Sequence, residues 1–191
     1  MHLLFLAGIG NSGPGHWQYQ WYMASENVSW LEHSDWDNPV MEAWLSDLES
    51  FLEKRDEPVV VVAHSLGCVL FTEWLQRTQN KEKIAGAFLV AMPDVLDPKF
   101  PAQVHNFRNL SETQQCCPAV VITSDNDPFG TAEHAQHQAK KLNVPLLNIG
   151  PVGHINAQSG LNGWAEGKAL LADLIARIEC ITSSPENQTV S

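Results

Sequence analysis

Four consecutive valines, at residues 59–62, constrain the fold of this chain more than any other feature. A strand with one exposed face alternates apolar and polar residues, and this run does not alternate, so both of its faces must be buried. Such burial is typical of a central strand in a parallel sheet that is covered by helices. The strand ends in Ala-His-Ser-Leu-Gly at residues 63–67, and apolar residues then recur at helical spacing. The pattern predicts a strand, a sharp turn with Ser65 at its apex, and a helix.

A strand, turn and helix with serine at the apex is the layout of a nucleophile elbow. The usual motif is Gly-x-Ser-x-Gly, and here Ala63 replaces its first glycine. That position needs a small side chain because strand and helix pass close together there, and alanine is small enough. The alternative interpretation is a buried strand followed by a helix that Ser65 merely caps. The pentapeptide alone leaves both interpretations open.

The length and composition indicate one globular domain. The chain has 191 residues, of which 44% are hydrophobic and 17% are charged. We expect a single domain over residues 1–182 and a flexible tail over residues 183–191. The formal net charge of -11 argues against nucleic acids and anionic membranes as partners.

The cysteines and the N-terminal residues indicate the cellular compartment in which we expect the protein. No CxxC or Cys/His spacing suggests a metal site, and we expect the cysteines to be small buried side chains in a reducing compartment. They are Cys68, Cys116, Cys117 and Cys180. The apolar run at residues 3–7 is too short for a signal peptide or a membrane span, and it predicts a first strand. We expect a cytoplasmic protein.

Predicted strands and helices alternate along the chain, which indicates an α/β fold of three layers. The sheet should be mostly or wholly parallel, with about six strands and with helices on both faces. The predicted strands are residues 3–7, 27–31, 59–63, 85–91, 119–123 and 145–149. The predicted helices are residues 16–23, one opened by Pro39, 66–79, 131–142 and 164–181.

A doubly wound strand order places the first and third strands side by side at the point where the order reverses, which is where such sheets bind ligands. The glycine-rich loop at residues 8–15 and the turn at residues 64–67 would meet there. The loop matches neither Gly-x-Gly-x-x-Gly nor a phosphate-binding loop, so we expect no nucleotide cofactor.

Three residue types of a catalytic triad follow predicted strands in the order serine, aspartate, histidine. Ser65 ends the third strand, an aspartate-rich turn at residues 124–130 ends the fifth, and His154 ends the sixth. A serine hydroxyl needs a base to take its proton and an acid to orient that base. His154 is the favoured base; the adjacent His64 should point away from Ser65.

Two aspartates could serve as the acid. Asp125 lies nearer the strand end and could instead bond the turn backbone. Asp127 precedes Pro128, which favours extended backbone and projects the side chain from the loop. The sequence favours Asp127.

The oxyanion of acyl transfer needs two amide donors. The amide of Leu66, the residue after the nucleophile, should supply one, and that of Ile9 or Gly10 the other. For the substrate pocket the candidates are Asn11, His16, Trp17 and Met92. Trp36 and the loop at residues 92–115 are further candidates for an apolar acyl pocket, and His16 could alternatively cap a helix.

Several motifs in order resemble the small retinoblastoma-binding-protein/YdeN family of α/β-hydrolase serine hydrolases. They are Gly-Ile-Gly-Asn-Ser-Gly-Pro-Gly-His-Trp at residues 8–17, His-Ser-Leu-Gly at 64–67, Asn-Asp-Pro at 126–128, Gly-His-Ile-Asn-Ala at 153–157, Ser159-Gly160 and Trp164. The resemblance spans nearly the whole chain and implies an α/β-hydrolase-like fold without a large lid domain. It also implies a triad of Ser65, Asp127 and His154. One departure is Ala7, where such proteins often have proline.

The sequence therefore predicts a serine hydrolase that cleaves small-molecule acyl esters through an acyl-enzyme, without a metal or other cofactor. Thioester or amide hydrolysis on the same triad is one alternative. A non-catalytic protein-binding module on a hydrolase fold is the other, although no sequence feature points to a protein partner.

Overall fold

Strands and helices alternate in the computed structural model, which describes residues 1–107 and 117–183. The described residues form six strands: β1 (His2–Leu6), β2 (Val28–Trp30), β3 (Val59–His64), β4 (Ile84–Val90), β5 (Ala119–Thr123) and β6 (Leu146–Asn148). They also form five α-helices: α1 (Trp17–Met23), α2 (Met41–Glu53), α3 (Leu66–Arg77), α4 (Ala132–Leu142) and α5 (Ala165–Ser183). Three short 3₁₀ turns lie at Lys81–Lys83, Ala102–Phe107 and Ala157–Ser159.

Some predicted segments fall partly outside the described residues. These are positions 108–115 of the loop predicted over residues 92–115, Cys116, and the predicted tail after Ser183, the residue at which α5 ends.

The six strands form one sheet in the order β2-β1-β3-β4-β5-β6, and every neighbouring pair is parallel. The strand order reverses between β1 and β3, which lie side by side with Leu6 opposite Ala63. The predicted three-layer α/β fold is confirmed, and its sheet is wholly parallel. The carboxyl ends of β1 and β3 therefore open onto one crevice.

The valine strand is buried on both faces because each face packs against a different layer of helices. Val59 and Val61 belong to the core cluster that includes residues of α2, α3 and α4. Val60 and Val62 belong to the cluster on the other face, with residues of α1 and α5. Successive strand side chains point to opposite faces, so a strand between two helical layers needs apolar residues at every position.

The turn after β3 holds Ser65 in a strained backbone conformation, with φ 53° and ψ -122°. A non-glycine residue in such a sparsely populated region persists only where its surroundings fix it, as at many active sites. Here the surroundings are tight: a Cβ on Gly67 would lie 2.3 Å from the carbonyl oxygen of Leu6. Glycine at this position lets α3 start directly against the end of β1.

No helix within the described residues is long and apolar enough to cross a membrane.

Replacing Gly67 by alanine should destabilise the fold, because the new methyl group would collide with the main chain of β1 rather than with a mobile side chain. Overpacking of this kind typically costs about 1–3 kcal/mol, and we expect the Gly67→Ala variant to lie at or above the upper end. Urea unfolding followed by circular dichroism measures the change.

Gly13→Ala is the matched control, since a Cβ on Gly13 meets no atom within 4 Å. Its free energy of unfolding should stay within about 0.5 kcal/mol of the parent value. Equal stability of the two variants would contradict the close contact between α3 and β1.

Candidate active site

Ser65, His154 and Asp127 form a continuous hydrogen-bonded chain at the carboxyl edge of the sheet. The Ser65 hydroxyl donates to His154 Nε2 over 2.9 Å. His154 Nδ1 lies 2.9 Å from each carboxylate oxygen of Asp127. The carboxylate can only accept, so Nδ1 carries the proton and Nε2 is left free to accept the serine proton. All three side chains are almost fully buried.

The two candidate acids have different partners. Asp127 faces His154, and one of its oxygens also accepts the amide hydrogen of Phe129. The Asp125 carboxylate instead accepts from the side chain of Asn148, which lies in β6. The structure thus brings Asp127, and not Asp125, to the histidine.

The loop that carries His154 is held by the turn after β5. The hydroxyl of Ser124 accepts the Val152 amide over 3.0 Å, and the Asn126 side-chain oxygen accepts the Gly153 amide over 2.7 Å. The aspartate and histidine loops are therefore joined by hydrogen bonds from main-chain amides to side-chain oxygens as well as by the Asp127–His154 pair.

Two ring N–H groups hold the same loop from the opposite side. His64 Nε2 donates to the carbonyl of His154 over 2.9 Å, and Trp17 Nε1 donates to that of Ile155 over 2.8 Å. His64 thus contacts the main chain of the histidine residue, whereas the hydroxyl of Ser65 bonds its ring. The position of His154 is fixed independently of the Ser65 hydroxyl.

The loop after β1 lies directly against Ser65. A Cβ on Gly8 would lie 2.9 Å from Ser65 Cβ and 3.3 Å from the Leu66 amide nitrogen, so only glycine allows this approach. The Leu66 amide is at the first turn of α3, where a helix has no carbonyl partner for it. Among the described residues, no acceptor binds the Ile9 amide.

Gly10 is the weaker of the two candidates for the second amide donor. Its N–H donates to the carbonyl of Trp36 over 2.9 Å, in the loop between β2 and α2. That amide is already engaged with a neighbouring loop, whereas the Ile9 amide has no acceptor among the described residues.

A cavity of about 390 Å³ lies over Ser65 and His154. Of the four residues predicted to line it, Asn11 and His16 do so, and Trp17 and Met92 do not. The remaining described residues around it come mainly from the glycine-rich loop, the segments after β4 and β5, and the histidine loop: Gly8, Ile9, Ser12, Gly13, Pro14, Gly15, His64, Phe100, Pro101, Phe129, Asn156, Ala157 and Gln158.

Three apolar residues that the sequence suggested for the pocket, Trp17, Met92 and Trp36, do not line this cavity. Trp17 turns into the core below the cavity, where its ring packs on Trp21 and its N–H bonds a buried carbonyl. Met92 packs in the cluster on the α3 face, as does the partly buried Trp36. Trp17 and Met92 are thus buried in the core clusters, and Trp36 packs against one of them.

Three histidine rings stand in a row beside the serine. The ring centres of His16 and His64 are 4.6 Å apart, and those of His64 and His154 are 4.9 Å apart. Burial lowers the pKa of His16 to about 4, helped by the nearby His154. Burial also lowers the pKa of His64 well below its ordinary value, with His16 and His154 adding to the effect. Both rings are neutral near pH 7, and His16 caps α1 by accepting the Gln18 amide at Nδ1.

Several residues at the site were not named from the sequence, although most of them lie in segments that it predicted to border the site. Phe129 packs its ring edge-on against His154 at 4.8 Å, and Phe100 packs against Phe129 at 6.0 Å. Ser12 and Gln18 are buried and hydrogen-bonded to each other. Phe129 lies within the aspartate-rich turn at residues 124–130, Phe100 lies in the loop predicted over residues 92–115, and Ser12 lies in the glycine-rich loop. Nothing in the sequence singled out Gln18.

Within the described ranges, no three His, Cys, Asp or Glu side chains are grouped so as to hold a metal ion.

A family model described as serine hydrolase matches residues 3–173 of this chain. A search of curated protein sequences found no match to this chain. The chain is similar in structure to a protein described as a YdeN-like hydrolase from Pectobacterium atrosepticum, with a TM-score of 0.81 and 24% identity over 93% of this chain and 91% of the other.

Two further solved structures are similar. The ydeN gene product of B. subtilis superposes with a TM-score of 0.75 at 19% identity, covering 92% of this chain and 98% of the other. A monoacylglycerol lipase from Paleococcus ferrophilus superposes with a TM-score of 0.68 at 13% identity, covering 91% and 93%.

The buried histidines predict that the protein loses stability as the pH falls below neutrality. The pKa of His16 is 6.5 when unperturbed and about 4 in the folded protein, so between these values the unfolded chain binds more protons. Stability therefore decreases as the pH is lowered through this window. His16 alone should account for a loss of about 2 kcal/mol between pH 7 and pH 5.

Urea unfolding at the two pH values, compared between the parent protein and the His16→Asn variant, measures this contribution. Asparagine retains a side-chain acceptor for the α1 cap but does not titrate. The variant should lose about 2 kcal/mol less than the parent over the same interval. An identical loss in both proteins would show that His16 is not buried as described.

Proposed function

The chain belongs to the serine hydrolase family and has the α/β-hydrolase fold, and we propose that it cleaves uncharged acyl esters through an acyl-enzyme on Ser65. In this proposal His154 is the general base and Asp127 orients it. The observation that carries the proposal is the unbroken hydrogen-bonded chain from the Ser65 hydroxyl through His154 to Asp127. A non-catalytic binding module would not need these three side chains in a hydrogen-bonded chain.

The reaction begins when His154 Nε2 takes the proton of Ser65 and the serine oxygen attacks the ester carbonyl. The carbonyl oxygen becomes an oxyanion that accepts hydrogen bonds from the amides of Leu66 and Ile9. The tetrahedral intermediate then collapses, the bond to the alkoxy group breaks, and His154 returns the proton to the departing alcohol. A water molecule, deprotonated by His154, attacks the acyl-enzyme, and the carboxylic acid leaves as Ser65 regains its proton.

Asp127 supports both half-reactions without itself taking up a proton. Its carboxylate holds the Nδ1–H tautomer of His154 and stabilises the imidazolium that forms in each step. The amides of Leu66 and Ile9 act on the charge that develops, and removal of one such donor typically costs about 3–4 kcal/mol of transition-state stabilisation. The short contact between Gly8 and Ser65 sets how close these amides lie to the reacting carbon.

The cavity supports an uncharged acyl substrate. None of the described residues around it is Asp, Glu, Lys or Arg, and the pKa shifts of His16 and His64 leave both rings neutral. Moving a charged group into such a cavity without a partner is strongly unfavourable. Ile9, Phe100 and Phe129 offer apolar surface for the acyl chain. The cavity volume lies at the small end of the range for ligand sites, which favours short or medium chains.

The triad predicts opposite outcomes for two neighbouring aspartates. Asp127→Asn should lower kcat/KM for a nitrophenyl ester by about 10³–10⁴-fold, because it removes the carboxylate that fixes the tautomer of His154. Asp125→Asn should retain turnover within about threefold, since that side chain contacts Asn148 instead. Ser65→Ala should abolish both turnover and labelling by a fluorophosphonate probe.

Mass spectrometry measures the labelling, because it gives both the fraction of protein that is labelled and the identity of the modified peptide. Circular dichroism of each variant controls for folding. If the probe does not label the parent protein at Ser65, the proposal is wrong. If Asp125→Asn inactivates the enzyme and Asp127→Asn does not, Asp125 is the acid.

A panel of substrates tests the proposed class. Nitrophenyl esters of acetate, butyrate and octanoate are compared with the monoester of succinate and with the ester of 6-aminohexanoate. The two charged acyl groups should be hydrolysed at least about tenfold less efficiently than butyrate, because the cavity offers no counter-ion. An acetyl thioester and an acetyl anilide, added to the panel, distinguish ester cleavage from thioester and amide cleavage. Preference for either charged acyl group would overturn the assignment of an uncharged substrate.

A further inference from the structure

Gln18 is a fully buried polar side chain in the first turn of α1. Its amide group makes three hydrogen bonds, and each goes to a different segment that borders the candidate active site. A buried glutamine with both donors and its acceptor engaged is held in one orientation, because every alternative would leave a polar group unpaired.

The two donors of Gln18 bind main-chain carbonyls where β1 and β3 approach the site. Nε2 donates to the carbonyl of Leu6 over 3.1 Å and to that of Val62 over 3.0 Å. Leu6 is the last residue of β1, and its carbonyl oxygen is the atom against which Gly67 packs. Val62 lies three positions before Ser65 in β3. The amide therefore joins the strand that leads into the Ile9 loop to the strand that leads into the nucleophile.

The acceptor of Gln18 binds the glycine-rich loop itself. The hydroxyl of Ser12, which lines the cavity, donates to Oε1 over 2.9 Å in a buried contact. The main chain of Gln18 is fixed in turn by the cap at His16, whose ring accepts its amide hydrogen. Loop, strand ends and helix start are thus connected through one side chain.

We propose that Gln18 is a positioning residue that sets the Ile9 amide at the correct distance from Ser65. The proposal rests on the hydrolase function proposed above and concerns its transition state. An apolar group at this site would remove one donor from each of the two carbonyls and leave the buried Ser12 hydroxyl without its Gln18 partner, so the glycine-rich loop would no longer be tied to β3 through this side chain. An amide donor that is displaced by a fraction of an ångström stabilises the oxyanion less, while the cavity that binds the ground-state ester is little changed.

The Gln18→Met variant tests this with the nitrophenyl ester that the parent enzyme hydrolyses best. Methionine has nearly the same shape but cannot form the three hydrogen bonds. We expect kcat to fall by about 10- to 100-fold, with KM changed by less than about threefold, because misplacement of a catalytic donor acts on the transition state. Rates are divided by the concentration of active sites, titrated with a fluorophosphonate.

A thionoester of the same acid gives a readout that loss of stability does not move. Sulfur accepts hydrogen bonds weakly, so the ratio of oxoester to thionoester turnover reports the oxyanion donors and is independent of the fraction of folded enzyme. The ratio should fall by about tenfold in Gln18→Met. The proposal is wrong if Gln18→Met keeps both the ratio and the kcat of the parent. It is also wrong if Gln18→Met is less stable than the parent but keeps the parent ratio.

Gln20→Met is the matched control on the same helix. Gln20 also bonds the glycine-rich loop, at the carbonyl of Pro14 over 3.0 Å, but in an exposed contact away from the strand ends. The Gln20→Met variant should keep both the kcat and the oxoester-to-thionoester ratio of the parent. An equal effect in the two variants would mean that any tether on the loop suffices, and the specific role of Gln18 would be wrong.

Ser12→Ala decides the question if Gln18→Met does not fold. It removes only the bond between the loop and Gln18, and it should lower the ratio in the same direction by a smaller factor. An unchanged ratio in Ser12→Ala would count against the proposal. Failure of the proposed function is a separate outcome, because it would appear as parent protein whose turnover does not depend on Ser65.

Discussion

The contact between Gly67 and the carbonyl of Leu6 is the constraint on which the rest of the site depends. It brings the start of α3 against the end of β1 so closely that no side chain fits between them. Ser65 can then occupy a turn with φ 53° that an isolated peptide would avoid, because the elements on either side leave it no other conformation. The glycine-rich loop begins at the same point, so Ser65 and its neighbouring amides share one rigid support.

Much of this arrangement follows from the sequence, because parallel strands impose strong rules. Residues 59–62 required helices on both faces of the sheet, and residues that follow parallel strands must meet at one edge. Ser65, Asp127 and His154 could therefore be placed together from their order alone. The motifs at residues 8–17 and 153–157 also predicted the family, which the match over residues 3–173 confirms. These inferences rest on backbone topology, which a pattern of apolar residues can specify.

Side-chain direction could not be predicted in the same way. Trp17 follows the glycine-rich loop and could have faced the cavity, but its indole N–H finds a carbonyl in the histidine loop and its ring finds the core. Gly10 and Ile9 are equivalent in sequence, and only the bond from Gly10 to Trp36 separates them. Gln18 resembles a surface residue of a short helix. In each case at least one partner lies 26 or more positions away along the chain, and nothing local reveals it.

The distance along the chain between Ser65 and its histidine has a consequence for how the protein acquires reactivity. The two residues that share a hydrogen bond are 89 positions apart. Contacts between such distant positions are slow to form, because the entropy cost of closing the intervening chain comes before the gain from the contact. As the chain emerges during synthesis, Ser65 is therefore an ordinary alcohol until β6 has docked and the loop after it has closed. In the proposed mechanism, the reactivity of Ser65 is therefore a property of the completed fold, and a partly folded chain would not attack esters.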